Sequence, residues 1–325
     1  MFITVAICTH NRAESLRRTL DSLVAMKVVG DIEWELVIVN NNSADHTDHV
    51  IGEYPGRLPI RREFQPQPGH SNARNRAIDA AKGEYIVWTD DDVLVDTNWL
   101  KAYAEAFRQW PEAAVFGGRI IPRFEPPAAK WVVESELILE GAYARRDFGS
   151  DTQPLCLAKY RIPFGANFAI RTKEQRTFRY DPNLGLAPNR RRYGDEYDVI
   201  ERLLESGATG YWIPSAKVKH CIGQDKQTTR YVVDYYTAVG ETEAFRTSAA
   251  VSATRFWFGV PRRLWPRLLK RYLFYRWHRL VSPPTVWVER LKRYADTRGA
   301  LKYWWYHPRS RSALSGYADR LSNSV

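Results

Sequence analysis

The chain has 325 residues, with 48 Lys+Arg against 37 Asp+Glu. Hydrophobic residues make up 44% and charged residues 26%, a globular balance that excludes wholesale disorder, and the length suits one large α/β domain plus an appendage, or two domains. The charge is uneven: from Asp225 to Val325 there are 19 basic and 7 acidic residues, while residues 1–221 hold 29 and 30, so a near-neutral body carries a basic tail.

Phe2–Thr9 (FITVAICT) is a short apolar run rich in β-branched residues, the pattern of a buried parallel strand. Asn11, with Glu14 three residues on, reads as a capped helix start, and Leu16, Leu20, Leu23 and Val24 follow at helical spacing. Residues 34–40 form a second strand ending in Asn40, Asn41, Asn42 and Ser43, which favour turns. Residues 59–65 are a weaker third strand. Residues 71–82 read as an amphipathic helix stopped by Gly83, and 84–89 as a buried strand running into Asp90, Asp91 and Asp92. This alternation implies a parallel sheet with helices on both faces. Ligands bind beyond the carboxyl ends of such strands, so the clusters at 8–12, 40–45 and 90–92 are expected to converge at one sheet edge. The irregular stretch 122–163 suggests loops around a short helix. Residues 164–171 resume as a strand and 194–207 as a compact helix with an apolar stripe of Val199, Leu203 and Leu204. Residues 210–220 are a strand pair or an extended edge. In the tail, Arg263, Arg267, Lys270 and Arg271 fall on one helical face and Leu264, Trp265, Leu268, Leu269, Tyr272 and Tyr275 on the other, until Arg276 and Arg279 break the segregation.

Three cysteines, Cys8, Cys156 and Cys221, are too scattered for a disulfide framework or a zinc finger. The N-terminus lacks the pattern of a signal peptide, and no stretch approaches about 18 consecutive apolar residues, so a cytoplasmic location is expected.

Asp90, Asp91 and Asp92 at a strand end repel one another unless a cation neutralises them, and a hard divalent ion shared with a diphosphate resolves that repulsion. In isolation such a triplet is more often a solvated turn; its place after a buried strand reverses that preference. Asp195 and Glu196 open the 194–207 helix. They serve either the helix dipole or, presented by a rigid terminus, as a general base. Arg74, near a helix N-terminus, suits phosphate but equally suits solvent. His220 alone reads as a surface or packed histidine.

Together these segments resemble family 2 glycosyltransferases. The resemblance runs through VAICTHNRAESLRRTLDSL, LVIVNNNSADHT, GHSNARNRAIDAAKGEYIVWTDDDV, FGANFAIRT and GDEYDVIERLLESGATGYWIPSAKVKH, five ordered blocks across about residues 2–221. It implies a GT-A fold: α/β, a Rossmann-like and mostly parallel sheet flanked by helices, here with a mainly helical, basic C-terminal extension. The expected division is a catalytic domain at 1–221 and an extension at 222–325. The resemblance further implies inverting transfer of a sugar from a nucleotide diphosphate sugar, a UDP-sugar in the first instance, with Mg²⁺ or Mn²⁺. By position, Cys8, His10, Asn11 and Asn41 would line the base and ribose pocket, with Arg74 near the diphosphate or the base. Asp90 would approach the ribose and join Asp92 and His220 at the metal, with Asp91 between them. Asp195 and Glu196 match the family's acidic pair, in reversed order. Glu196 is the base by position, and Asp195 is the alternative. Asn40 and Asn41 stand where aspartate is usual, which leaves the base open. The implied acceptor is a hydroxyl of a glycan or a lipid-linked glycan.

Two other functions share these features: a non-catalytic nucleotide-sugar or glycan-binding protein, and a nucleotidyltransferase, which usually carries an early Gly-rich phosphate loop that this chain lacks. For the tail, an interfacial helix on an anionic membrane surface and a packed helical subdomain are equally expected. Nucleic acid is not expected, because no recognised binding module accompanies the basic and aromatic residues.

Overall fold

A computed structural model describes residues 1–28, 30, 32–188, 190–248 and 256–307. They fall into two compact units. The first comprises Met1–Pro126, Tyr143–Arg190 and Gly194–Gly223; the second comprises Pro127–Ala142, Arg191–Tyr193 and the chain from Gln224 onward. The stretch 127–142 thus belongs with the tail, although in sequence it interrupts the body.

The first unit is built on a nine-stranded sheet: β1 (Phe2–Thr9), β2 (Glu33–Asn40), β3 (Ile60–Phe64), β4 (Tyr85–Trp88), β5 (Val93–Val95), β6 (Val115–Glu125), β7 (Gln153–Pro154), β8 (Phe168–Arg171) and β9 (Gly210–Gly223). Its order is β3-β2-β1-β4-β8-β6-β9-β5, with β7 paired to β9. The half from β3 to β4 is parallel, as the strand–helix alternation implies, whereas β8 runs antiparallel to both β4 and β6. The segment expected as an edge is a single long strand paired on both sides, parallel to β6 and antiparallel to β5. Its middle disguised this, because from Ser215 to His220 exposed residues alternate with buried ones.

The period of two along each strand builds two cores. Ile3, Val5 and Ile7 join Leu36, Ile38 and Val87 under helix α1 (Ala13–Val24) on one face. Ala6, Val37, Val39, Ile86 and Trp88 join Ala73, Ala77 and Ile78 of helix α2 (His70–Ala80) on the other. Helix α3 (Trp99–Gln109) completes the first core with Trp99, Tyr103 and Phe107. Helix α4 (Asp195–Glu205) completes the second with Val199, Ile200 and Leu203. The start of α1 differs from expectation. Asn11 does not cap it; the Ala13 N–H is taken by Asp45 Oδ2 at 3.1 Å, and Glu14 turns to His46 at 2.8 Å. Asn11, at a positive φ of 53°, instead accepts the Ala44 N–H, which ties the loop after β1 to the loop after β2.

The second unit is helical, with α5 (Thr229–Thr247), α6 (Leu264–Val281) and α7 (Pro284–Tyr306). Helices α5 and α7 cross at backbone distance: a Cβ on Gly299 would lie 1.9 Å from the Thr237 carbonyl, so only glycine fits there. The segregation expected in the tail helix is not what α6 shows. Arg271 lies on its packed side, donating to the Arg293 carbonyl and Thr297 Oγ1, while Leu269 is exposed. Among the described residues no helix is long and apolar enough to cross a membrane.

Candidate active site

The carboxyl ends of β1, β2 and β4 come together because the strands are parallel and in register, Thr9 opposite Asn40 and Ala6 opposite Trp88. Thr9 Oγ1 donates to Asp91 Oδ2 at 2.8 Å. Arg12 then forks across the acidic run, Nη1 to Asp91 at 2.6 Å and Nη2 to Asp92 at 2.8 Å. Both carboxylates are buried and Arg12 is partly open, so an arginine of this chain supplies the neutralising charge that the triplet demands. Burial pushes the Asp91 carboxyl up to about 6 even with Arg12 pulling it down, and the charge of Asp92 adds to the rise.

Strand β9 brings His220 to the same point. It pairs antiparallel with β5, and the Cys221 N–H donates to the Asp92 carbonyl at 2.8 Å. His220 Nδ1 lies 3.2 Å from the Tyr143 carbonyl, which accepts its proton, and the far ring nitrogen, Nε2, lies 3.3 Å from Asp92 Oδ2. An imidazole nitrogen and a carboxylate oxygen side by side, with the other ring nitrogen held by a carbonyl, are a donor pair that a divalent cation could take once the ring is neutral. Among the described residues no group of three or more His, Cys, Asp or Glu side chains gathers at such a point. Asp90, expected as a third ligand, does not join Asp92 and His220. It faces Arg74 Nη2 instead, at 4.0 Å.

A second charged cluster sits at the start of α4. Asp195 is buried, and its Oδ2 accepts from Arg74 Nη1 at 3.1 Å and from His70 Nδ1 at 3.2 Å. His70 and Arg74 are one turn apart on α2, so both reach the same carboxylate. Burial alone would raise Asp195, but Arg74 and His70 outweigh it and hold the carboxyl below the usual range. Glu196 behaves oppositely. Burial and the charge of Asp195 push it up to about 7, Arg74 only partly offsetting them, and its protonated form hydrogen-bonds Asp195. Arg74 itself is buried, its guanidinium 5.1 Å from the Tyr180 ring centroid, 5.7 Å from Phe168 and 5.8 Å from Trp88. Gly165 leaves room for it, since a Cβ there would come within 2.7 Å of Arg74 Nη2.

The remaining expected residues occupy the loops between these clusters. Cys8 is half-buried at the end of β1, and burial pushes its thiol far up, so it is a packed neutral group. His10 Nδ1 donates to the Asn41 carbonyl at 2.8 Å, and its Nε2 accepts from Asn11 at 3.1 Å. Asn41 donates to the carbonyls of Gln65 and Gln67 and accepts the Gly69 N–H at 2.8 Å, which leaves one lone pair on Oδ1 for a ligand. Arg12 and His70 were not among the expected site residues. The signal for His70 is its four-residue offset from Arg74; the signal for Arg12 is the need for a cation beside three aspartates.

The model of the family described as glycosyl transferase family 2 matches residues 4–174, just over half of the chain. The succinoglycan biosynthesis protein ExoM of Rhizobium meliloti is 29% identical over 41% of this chain and 43% of its own length. The glucosyl-dolichyl phosphate glucuronosyltransferase of Haloferax volcanii is 23% identical over 68% of this chain and 69% of its own length. Among solved structures, the mannosyltransferase PcManGT from Pyrobaculum calidifontis, in complex with GDP-Man and Mn²⁺, has 15% identity and a TM-score of 0.59 over 94% of this chain and 87% of that one. The match to ExoM leaves more than half of that protein unaccounted for. The sheet and flanking helices are those of the GT-A fold. The polar ends of β1, β2 and β4 all lie within the matched segment, and on that match the chain belongs to glycosyl transferase family 2.

Proposed function

We propose that this protein transfers a sugar, with inversion, from a nucleoside diphosphate donor to a hydroxyl of a glycan or lipid-linked acceptor. The observation that carries the proposal is the split between two adjacent carboxylates, Asp195 buried and Glu196 partly open to the site. Asp195 is fixed in its charged form by Arg74 and His70, and Glu196 is lifted to about 7, where a general base works at neutral pH. Glu196 takes the proton of the attacking hydroxyl, and its hydrogen bond to Asp195 then stabilises the protonated form. Asp195 orients it. A single base opposite the leaving diphosphate gives inversion, and no nucleophilic side chain is required.

Mg²⁺ or Mn²⁺, when bound, would neutralise charge developing on the departing diphosphate. Asp92 and His220 are the residues that would hold it, with Asp91 buried and held by Thr9 and Arg12. Arg74, Cys8 at the end of β1 and the loop residues His10, Asn11, Asn41 and Asp90 would line the approach for the nucleotide. A nucleotide-sugar complex of a structural neighbour and the lipid phosphate in a relative's name support the donor and acceptor classes. The single remaining lone pair of Asn41 Oδ1 can accept from a uracil N3–H or a guanine N1–H, so both UDP and GDP fit it.

Thermal-shift titration of UDP and GDP with and without Mn²⁺ tests this. Stabilisation by a nucleoside diphosphate should grow with Mn²⁺, and Asp92→Ala should remove the metal-dependent part while leaving the fold intact. An unchanged Mn²⁺ effect in that variant would overturn the metal assignment. Release of pyrophosphate in place of nucleoside diphosphate would overturn the reaction class.

Arg12 gives a further expectation. With its guanidinium gone, Asp91 and Asp92 face one another uncompensated, so Arg12→Met should lower the melting temperature in chelator, by a loss of about 1–3 kcal/mol. Mn²⁺ should restore more of that stability in the variant than it adds to wild type. Equal Mn²⁺ shifts in both proteins would show that arginine and metal do not share the same carboxylate.

A further inference from the structure

Helix α6 has two unlike faces. Its packed face is fixed by Leu264 and Tyr275, which are buried, by the bonds of Arg271 to Arg293 and Thr297, and by the ring contacts of Tyr272 and Tyr275 with Tyr294. Leu269, Leu273, Trp277 and Leu280 recur every three to four residues on the opposite side and are 56–83% exposed. Phe274 and Val281 widen the same exposed side. Trp265 lies one turn before Leu269 and meets the ring of Trp305 on α7 at 6.1 Å, and Trp305 is itself exposed. An outward row of leucine and tryptophan this continuous is more than a soluble monomer usually leaves bare.

The charges around this row say what it suits. Arg267, Lys270, Arg276 and Arg279 are exposed along its edges. No Asp or Glu occurs between Glu243 and Glu289, so no carboxylate of that stretch balances them. A second copy docking through the same face would set these basic edges against their own kind, which opposes a dimer. An anionic bilayer accepts both parts. Leucine side chains enter the acyl boundary, indoles sit at headgroup level, and the arginines and Lys270 reach the phosphates.

We propose that α6 is an interfacial helix that lays its Leu269–Leu273–Trp277–Leu280 face into an anionic phospholipid surface, holding the protein peripherally. This face belongs to the second unit alone, and the inference does not depend on the sugar-transfer proposal. The outward face differs from the apolar face expected from sequence, because Leu264, Tyr272 and Tyr275 of that expected face pack within the second unit while Leu269 turns outward.

The test uses the full chain and flotation with vesicles of phosphatidylglycerol or of phosphatidylcholine. Wild type should float with phosphatidylglycerol, less with phosphatidylcholine, and less as salt shortens the Debye length below about 10 Å. Leu273→Glu combined with Trp277→Glu places charge where the acyl boundary would be and should weaken binding by roughly tenfold or more. Both positions are exposed, so circular dichroism and melting temperature should match wild type. Lys270→Glu with Arg276→Glu should weaken phosphatidylglycerol binding selectively. Failure of wild type to float with phosphatidylglycerol at low salt overturns the proposal, as does undiminished flotation of the Leu273→Glu/Trp277→Glu variant. Sedimentation showing a wild-type dimer that this variant converts to monomer also overturns it, assigning the face to a second copy.

Discussion

Glu196→Gln is expected to reduce sugar transfer by about 10²–10⁴-fold, the usual loss when a general base is removed, while donor binding stays near wild type. The amide keeps the size of the carboxyl and cannot take a proton. Because burial and the neighbouring Asp195 lift Glu196 to about 7, the wild-type rate should climb as pH passes through about 7 and the carboxyl ionises. The residual rate of the variant should not follow that limb. The same shift acts on stability with a definite sign. A carboxyl whose pKa is higher folded than unfolded favours the fold while it is protonated, and that contribution is lost as pH rises toward 7. At about pH 8 wild type therefore carries a buried charge that Gln lacks, and the variant should be more stable by roughly 1–3 kcal/mol, a gain that shrinks at about pH 5. Loss of activity with gained stability separates a base from a helix-capping carboxylate. If Glu196→Gln turns over normally and Asp195→Asn does not, the roles are exchanged.

Much of this site could be read in the sequence because the local signals and the fold agree. The run FITVAICT makes a strand wherever it is placed, and a parallel neighbour forces its polar end against the ends of β2 and β4. That places Asp90–Asp92 beside residues 8–12 without knowledge of any contact. What the sequence could not show is which polar group meets which. Asp90 shares its triplet with Asp91 and Asp92 yet faces Arg74, because the chain turns between β4 and β5 and sends Asp90 to one side while Asp91 and Asp92 share Arg12. Asn41 sits at a position expected to read a base, but the loop at 65–69 uses both of its donors. The tail was ambiguous for a different reason. A helix with arginine and leucine on most sides has two possible apolar stripes, and only its partner α7 decides which one packs.

Arg74→Met is expected to be the most destabilising single change at this site, by about 3–5 kcal/mol, because removing one partner of a buried ion pair leaves the other uncompensated. Arg74 is buried and lies 3.1 Å from Asp195, 3.6 Å from Glu196 and 4.0 Å from Asp90, so three carboxylates lose the same cation. The loss should depend on pH. Arg74 and His70 hold Asp195 low in wild type, which contributes stability once Asp195 is ionised, above about pH 4, and that contribution fades as pH falls. Without Arg74 the buried carboxylates retain protons more tightly, so the gap in melting temperature between wild type and variant should be wider at about pH 8 than at about pH 5. The rising limb of activity should also move to higher pH, since the group that offsets the rise of Glu196 is gone. A second substitution distinguishes charge from packing. Methionine can still fill space among Trp88, Phe168 and Tyr180, and neutralising Asp195 as well removes the orphaned charge. Arg74→Met with Asp195→Asn should therefore recover much of the stability lost by Arg74→Met alone, though not the activity, because Glu196 then lacks the charged neighbour that stabilises its proton. Equal instability of the single and double variants would place the contribution of Arg74 in its contacts with the three rings, and the pH dependence of the melting temperature would then be absent.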